Sequence, residues 1–198
     1  MIRLVIGLGN PGRRYRMTRH NIGSLVVEEV ARRRGTADES EMAHCLVSRF
    51  VEDDLVLARP GLFMNQSGRA VRAVMGRFEV APEEVLVVSD DLNLDFGVLR
   101  VRRAGSHGGH NGLRSIIASL GTQAFPRLRI GIGPAADGED QADFVLQRFT
   151  AGERARLDEV IAGAADCVDT VVREGLERSM NRCNRTPGRT PGDAPAGE

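Results

Sequence analysis

Apolar residues come in short, dense bursts separated by polar, glycine-bearing stretches, a rhythm that predicts alternating strands and helices. Ile2 to Leu8 is short and almost wholly apolar, so it reads as a buried first strand. Within Gly23 to Arg34, Leu25, Val26, Val27, Val30 and Ala31 recur at helical spacing, which predicts a helix with those side chains toward a core. Cys45 to Val51 and Leu55 to Arg59, joined by Glu52-Asp53-Asp54, read as a hairpin. A helix is expected from Gln66 to Phe78, with Ser67 one candidate cap. Val85 to Ser89 reads as a short strand ending at Asp90, Val98 to Arg103 as another, and Asn111 to Leu120 as a helix after the loop AGSHGGH. Leu128, Ile130 and Ile132 alternate with Arg127, Arg129 and Gly131, which puts both arginines on one face of a strand. One long helix is expected from Ala151 to about Asn184. From Arg185 on, TPGRTPGDAPAGE has no apolar period and much Pro and Gly, the composition of a disordered tail.

The chain has 198 residues, 41% of them hydrophobic, enough for one α/β domain over residues 1–184 with residues 185–198 as its tail. No apolar run has membrane-spanning length and the N-terminus lacks a signal-type apolar segment, so a cytoplasmic protein with no membrane partner is expected. Cys45, Cys167 and Cys183 are scattered without CxxC spacing, which argues against a disulfide framework or a Cys-rich zinc site and predicts unpaired thiols. Net charge is zero, yet the charges are segregated. Every basic residue is an arginine, which removes mechanisms that need a lysine, from Schiff bases to the P-loop ammonium. Arginines gather at 13, 14, 16 and 19, at 32 to 34, and at 100, 102, 103, 114, 127 and 129, several beside glycine-rich loops, which favours a phosphate-bearing ligand.

Gly7, Gly9 and Gly12 in GLGNPGRRYRMTRHNIG spell GxGxxG after the first strand. A dinucleotide site needs a helix starting at that turn and an acid about 20 residues on at a strand end. Here the residues after Gly12 are polar and aperiodic, the first helix waits until about residue 22, and Glu28 and Glu29 fall inside it. Pro11 also removes a backbone donor from the loop. The segment instead offers Asn10 and His20 at the carboxyl end of a strand, where open α/β sheets bind ligands. Other strand-end loops carry Asn65, Asp90, His107, His110 and Asn111, and GxSxG is absent. A histidine partnered by a carboxylate takes a proton from water near neutral pH. Carboxamides aim N–H donors at the oxygen where charge gathers, worth about 3 to 4 kcal/mol per donor where it has been measured. Histidine, aspartate and several asparagines together suggest ester hydrolysis by water with no covalent intermediate.

Five motifs carry a resemblance: GLGNPGRRYRMTRHNIG (7–23), FMNQSG (63–68), SDDLNL (89–94), GSHGGHNGLRSI (105–116) and FPRLRIGIG (125–133). In their order and spacing the chain closely resembles the bacterial peptidyl-tRNA hydrolase family from residue 1 to about 184. The resemblance implies a monomer with a mixed twisted β-sheet sandwiched between α-helices, which hydrolyses the ester joining a peptide to the 3′ ribose of tRNA and needs no cofactor or metal. It further implies that His20 is the general base, Asp90 the carboxylate that polarises it, Asn10 a substrate contact near the ester, Asn65 the oxyanion donor and Asn111 the residue holding the water. His110, Met64 and Tyr15 would line the groove, and Arg102 with Arg129 would clamp the tRNA 5′-phosphate, which suits a guanidinium fork. Two positions depart from the family pattern. Gly61-Leu62 stands where threonine usually precedes FMN, so one loop hydrogen bond near Asn65 is expected to be missing; Arg102 stands where lysine is common. Two rivals remain: a metal hydrolase using His107, His110, His20 and Asp90, and an RNA-binding protein of the same fold without turnover.

Overall fold

In the computed structural model, which describes residues 1–35, 39–135 and 138–184, the apolar bursts become the strands of one sheet. The elements in chain order are β1 (Leu4–Gly7), α1 (Ile22–Arg33), β2 (Glu39–Met42), β3 (Cys45–Phe50), β4 (Leu55–Pro60), α2 (Ser67–Phe78), β5 (Val85–Asp95), β6 (Leu99–Arg102), α3 (Asn111–Leu120), β7 (Arg127–Gly133), α4 (Gln141–Leu146), α5 (Ala151–Glu174) and α6 (Leu176–Cys183). Short 3₁₀ turns at Arg19–Asn21 and Met64–Gln66 lead into α1 and α2. The seven strands lie in the order β2-β3-β4-β1-β5-β7-β6. β4, β1, β5 and β7 run parallel, while β2, β3 and β6 add antiparallel pairings at the two ends, giving the expected mixed sheet.

Side chains alternate across each strand, so both faces need cover. Val5, Leu86, Val88 and Leu128 pack with Val26 and Val30 of α1 and with Val168 and Val171 of α5. Leu4, Ile6, Val85 and Val87 pack on the other side with Val71 and Val74 of α2 and Ile116 of α3. α1 seats very close to the sheet because two glycines meet: a Cβ at Gly7 would lie 2.4 Å from the Gly23 carbonyl oxygen, and one at Gly23 2.3 Å from that of Val88. Gly7 and Gly23, the first and last residues of that motif, therefore serve helix packing. β1 lies between β4 and β5, and the helices α1 and α2 that follow β1 and β4 sit on opposite faces, so the winding reverses at the carboxyl end of β1. A crevice opens where it does so.

Several expectations need correction. β5 runs on past Asp90 to Asp95, because after an irregularity its polar end still pairs with β7, where Gly131 leaves room: a Cβ there would lie 2.0 Å from the Asp95 carbonyl oxygen. β2 is a polar edge strand that apolar alternation does not reveal. Ser67 caps nothing; it is the first residue of α2 and its Oγ donates to the Met64 carbonyl at 2.8 Å. The long C-terminal helix breaks at Gly175 (φ 85°), and α6 turns back beside α5. That reversal brings Cys167 and Cys183 into a disulfide, with Cα atoms 5.9 Å apart, where unpaired thiols were expected; Cys45 stays free and buried. Just after α6, the Asn184 carboxamide accepts from the Val101 N–H at 2.6 Å and donates to the Val101 carbonyl at 3.2 Å, covering the free edge of β6. The expected tail, 185–198, lies outside the described residues.

Candidate active site

β5 carries Asp90 into the middle of the sheet, pairing it with Ile130, and leaves its side chain 2% exposed. A buried carboxylate is costly unless its oxygens are satisfied. Two imidazoles do this. Both Asp90 oxygens lie 2.9 Å from His20 Nδ1, and Oδ1 lies 3.0 Å from His110 Nε2. His110 is the N-cap of α3, and its Nδ1 accepts the amide N–H groups of Gly112 and Leu113 at 3.0 and 3.3 Å. Those amides make Nδ1 an acceptor, so the ring hydrogen of His110 sits on Nε2 and is donated to Asp90.

His20 arrives from the loop after β1, on the 3₁₀ turn that opens α1. Its Nδ1 is engaged by Asp90, so Nε2 is the ring nitrogen without a partner among the described residues, and the ring lines the crevice. Burial pushes the His20 pKa down, but the charge and hydrogen bond of Asp90 more than offset this and raise it above the ordinary value. Burial alone would raise the Asp90 pKa; the two facing imidazoles hold it well below the usual carboxylate range.

The crevice, about 470 Å³, brings together six of the expected residues: His20, Asp90, Arg102, His110, Asn111 and Arg129. Asn111 is exposed at the start of α3, and its Oδ1 accepts from Arg114 at 3.2 Å, which leaves its amide hydrogens free among the described residues. The other four, Asn10, Tyr15, Met64 and Asn65, do not line it. Asn10 Oδ1 accepts the Met64 N–H at 2.8 Å, and the Asn10 backbone is clasped by Asn21, which accepts from its N–H and donates to its carbonyl, each at 2.9 Å. These bonds, with that of Ser67, hold the loop despite Leu62. Met64 reaches α3, where a Cβ on Gly112 would meet its Sδ at 2.5 Å. Asn65 is exposed next to Met64, and Tyr15 stands edge-on to Phe63 with ring centroids 6.2 Å apart.

The arginine clusters divide. β6 and β7 pair Arg100 with Arg129 and Arg102 with Arg127, so these four share a face. Arg102 is exposed, but Arg129 is bonded to Asp91. Arg127 is buried; it donates to the Ser106 and Gln123 carbonyls at 2.9 and 3.1 Å and lies over the Phe125 ring. Its burial, then the charge of Arg129, brings its pKa down to about 10. Arg127 therefore braces the loop before His110. Strand alternation groups it with Arg129 and gives no hint of its burial.

His20, Asp90 and His110 also form the one group among the described residues with metal-ligand spacing, their ligand atoms all within 4.8 Å; His107 is not part of it. The fit is poor, because the nitrogen His110 turns to Asp90 bears a hydrogen and has no lone pair to give. The capping role of His110 went unread in the sequence; its place one residue before the helix start is the available signal.

Taken together, the fold and the crevice define an α/β enzyme of hydrolytic type. The family model for peptidyl-tRNA hydrolase matches residues 4–191. A peptidyl-tRNA hydrolase of Sulfurihydrogenibium sp. is 44% identical over 186 residues, covering 93% of this chain and 98% of its own, and one of Chloroflexus aurantiacus is 47% identical over 187 residues, covering 91% and 98%. The crystal structure of peptidyl-tRNA hydrolase from Acinetobacter baumannii superposes with a TM-score of 0.85 at 36% identity, covering 92% of this chain and 94% of that one. The chain belongs to the peptidyl-tRNA hydrolase family and is a hydrolase.

Proposed function

We propose that residues 1–184 act as a monomeric, cytoplasmic domain that cleaves the ester between a peptide and the 3′ ribose of tRNA, with His20 as base and water as nucleophile. The observation that carries this reading is the Asp90 carboxylate held between two imidazoles, which orients His20 with its free Nε2 on the crevice. Nε2 takes a proton from water as the oxygen attacks the ester carbonyl. Charge moves onto the carbonyl oxygen, where the Asn65 carboxamide donates a hydrogen bond. Asn111 holds the water through its free amide, and Asn10 meets the acyl group near the ester. Collapse of the tetrahedral intermediate breaks the bond to the ribose 3′ oxygen, which takes the proton back from His20.

Tyr15, Met64 and His110 line the path of the acyl group, His110 also anchoring Asp90. Arg102 is the exposed cation for the tRNA 5′-phosphate; Arg129 joins it by exchanging its bond to Asp91 for the phosphate. No cofactor enters the scheme, since each proton has a donor and an acceptor among these groups. Among the described residues no helix is long and apolar enough to cross a membrane. The test is release of N-acetylaminoacyl groups from tRNA by the parent and by His20→Ala. Loss of turnover with retained tRNA binding is expected, and near-normal turnover in the variant refutes the base assignment. Absence of turnover in the parent would favour the binding-only rival.

A further inference from the structure

Asp90 is fixed by a central strand, whereas His20 rides on a loop turn, so the precision of the pair depends on what holds residue 20. A site left 1 Å loose by its supports is a common way for catalysis to fail. The support is next to it in the chain. Arg19 is 3% exposed, although Arg13, Arg14 and Arg16 of the same arginine-rich stretch are exposed. Its Nε and Nη2 donate to the two Glu153 oxygens at 3.2 and 2.8 Å, and its Nη1 donates to the Gln147 side-chain oxygen at 3.4 Å and the Arg148 carbonyl at 3.2 Å. The guanidinium lies 4.3 Å from the centroid of the Phe144 ring. The backbone joins in, with the Arg19 N–H donating to the Gln147 carbonyl at 3.0 Å and Thr18 bridged to Arg148. Glu153 is anchored in turn. Its carboxylate accepts the Thr150 N–H at 2.6 Å and closes the capping box of α5.

A guanidinium taken out of water needs such pairing, and breaking a buried pair leaves an uncompensated charge. Arg19 does not line the crevice and so does not reach the ester. We infer that Arg19 is a positioning residue for hydrolysis: the fork between Arg19 and Glu153 fastens the His20 turn to the start of α5, so that the imidazole meets Asp90 in one orientation before substrate arrives. This rests on the reading of His20 as the base. The arrangement joins the catalytic loop to an element remote from it in sequence, since 134 positions separate Arg19 from Glu153. Lysine would keep the charge but not the two-pronged contact. Glutamine at 153 would turn a donor toward a donor and lose either the fork or the cap.

The test compares the parent, Arg19→Lys, Glu153→Gln, the double variant and His20→Ala in steady-state hydrolysis of N-acetylaminoacyl-tRNA, with melting curves to confirm that each is folded at the assay temperature. The expected result is kcat lowered on the order of tenfold to a hundredfold in both single variants, with KM within about twofold of the parent. The double variant should be no slower than the slower single. If Arg19→Lys does not fold, Glu153→Gln decides, because that side chain is 18% exposed. A kcat within about twofold of the parent in folded variants, whatever the fall in melting temperature, would make the fork mere structural glue and overturn the inference. Turnover retained by His20→Ala removes the base assignment instead, and the inference with it.

Discussion

Asp90→Asn is the sharpest probe of the site, because the change is nearly isosteric and its consequence follows from hydrogen positions. Asp90 accepts from His20 Nδ1 and from His110 Nε2. Asparagine offers one accepting oxygen and an amide that only donates. His110 cannot become the acceptor without giving up the Gly112 and Leu113 amides, so it keeps the oxygen. The new amide then replaces one of the two oxygens that lie 2.9 Å from His20 Nδ1, and the tautomer that keeps two donors from meeting there has Nδ1 as acceptor and its hydrogen on Nε2. That is the wrong tautomer for a base. General-base catalysis contributes about 10² to 10⁴ in rate, or roughly 3 to 5 kcal/mol of barrier, and most of it should vanish. The assay is single-turnover release of the N-acetylaminoacyl group alongside tRNA binding, across pH. Parent activity should fall as pH drops through the raised His20 pKa, because protonated Nε2 accepts nothing. In the variant the carboxylate no longer opposes burial, so the residual acid limb should move to lower pH. A loss below about tenfold, or a loss of binding in proportion to rate, would refute the tautomer argument.

Two further changes probe the surface and the scaffold. Arg102→Ala should weaken binding of 5′-phosphorylated tRNA and reduce its salt slope by about one, whereas Asp91→Asn, by releasing Arg129, should tighten binding and steepen the slope; equal slopes in all three proteins would dismiss the clamp. Gly23→Ala sets a Cβ 2.3 Å from the Val88 carbonyl oxygen and 2.9 Å from the Leu8 nitrogen, so α1 must lift from the sheet; calorimetry should show about 1 to 3 kcal/mol of lost stability.

Much of this molecule is written in local pattern. The apolar run at Ile2 to Leu8, the hairpin about Glu52-Asp53-Asp54 and the helix from Asn111 all form where periodicity puts them, since each buries a face that its own neighbours define. The pairing of His20 with Asp90, 70 residues apart, is carried by the motifs and the family likeness rather than by spacing. What stayed hidden depends on distant partners. The polar end of β5 is a strand because β7 lies beside it, and Cys167 meets Cys183 because Gly175 reverses the chain. Arg19 and Arg127 look like members of solvent-facing clusters, yet each is buried by carbonyl or carboxylate oxygens supplied from elsewhere in the chain. A count of arginines does not separate a phosphate ligand from a brace.

The Asn184 carboxamide occupies the backbone groups of Val101 that would otherwise be open on β6. An unguarded rim of N–H and C=O groups is a template on which a strand from another molecule can zip and seed fibrils. Here one side chain imitates that strand, held in place by a helix that a sulfur bridge ties to α5. At this end, the sheet is stopped from growing by a cap no larger than an amide.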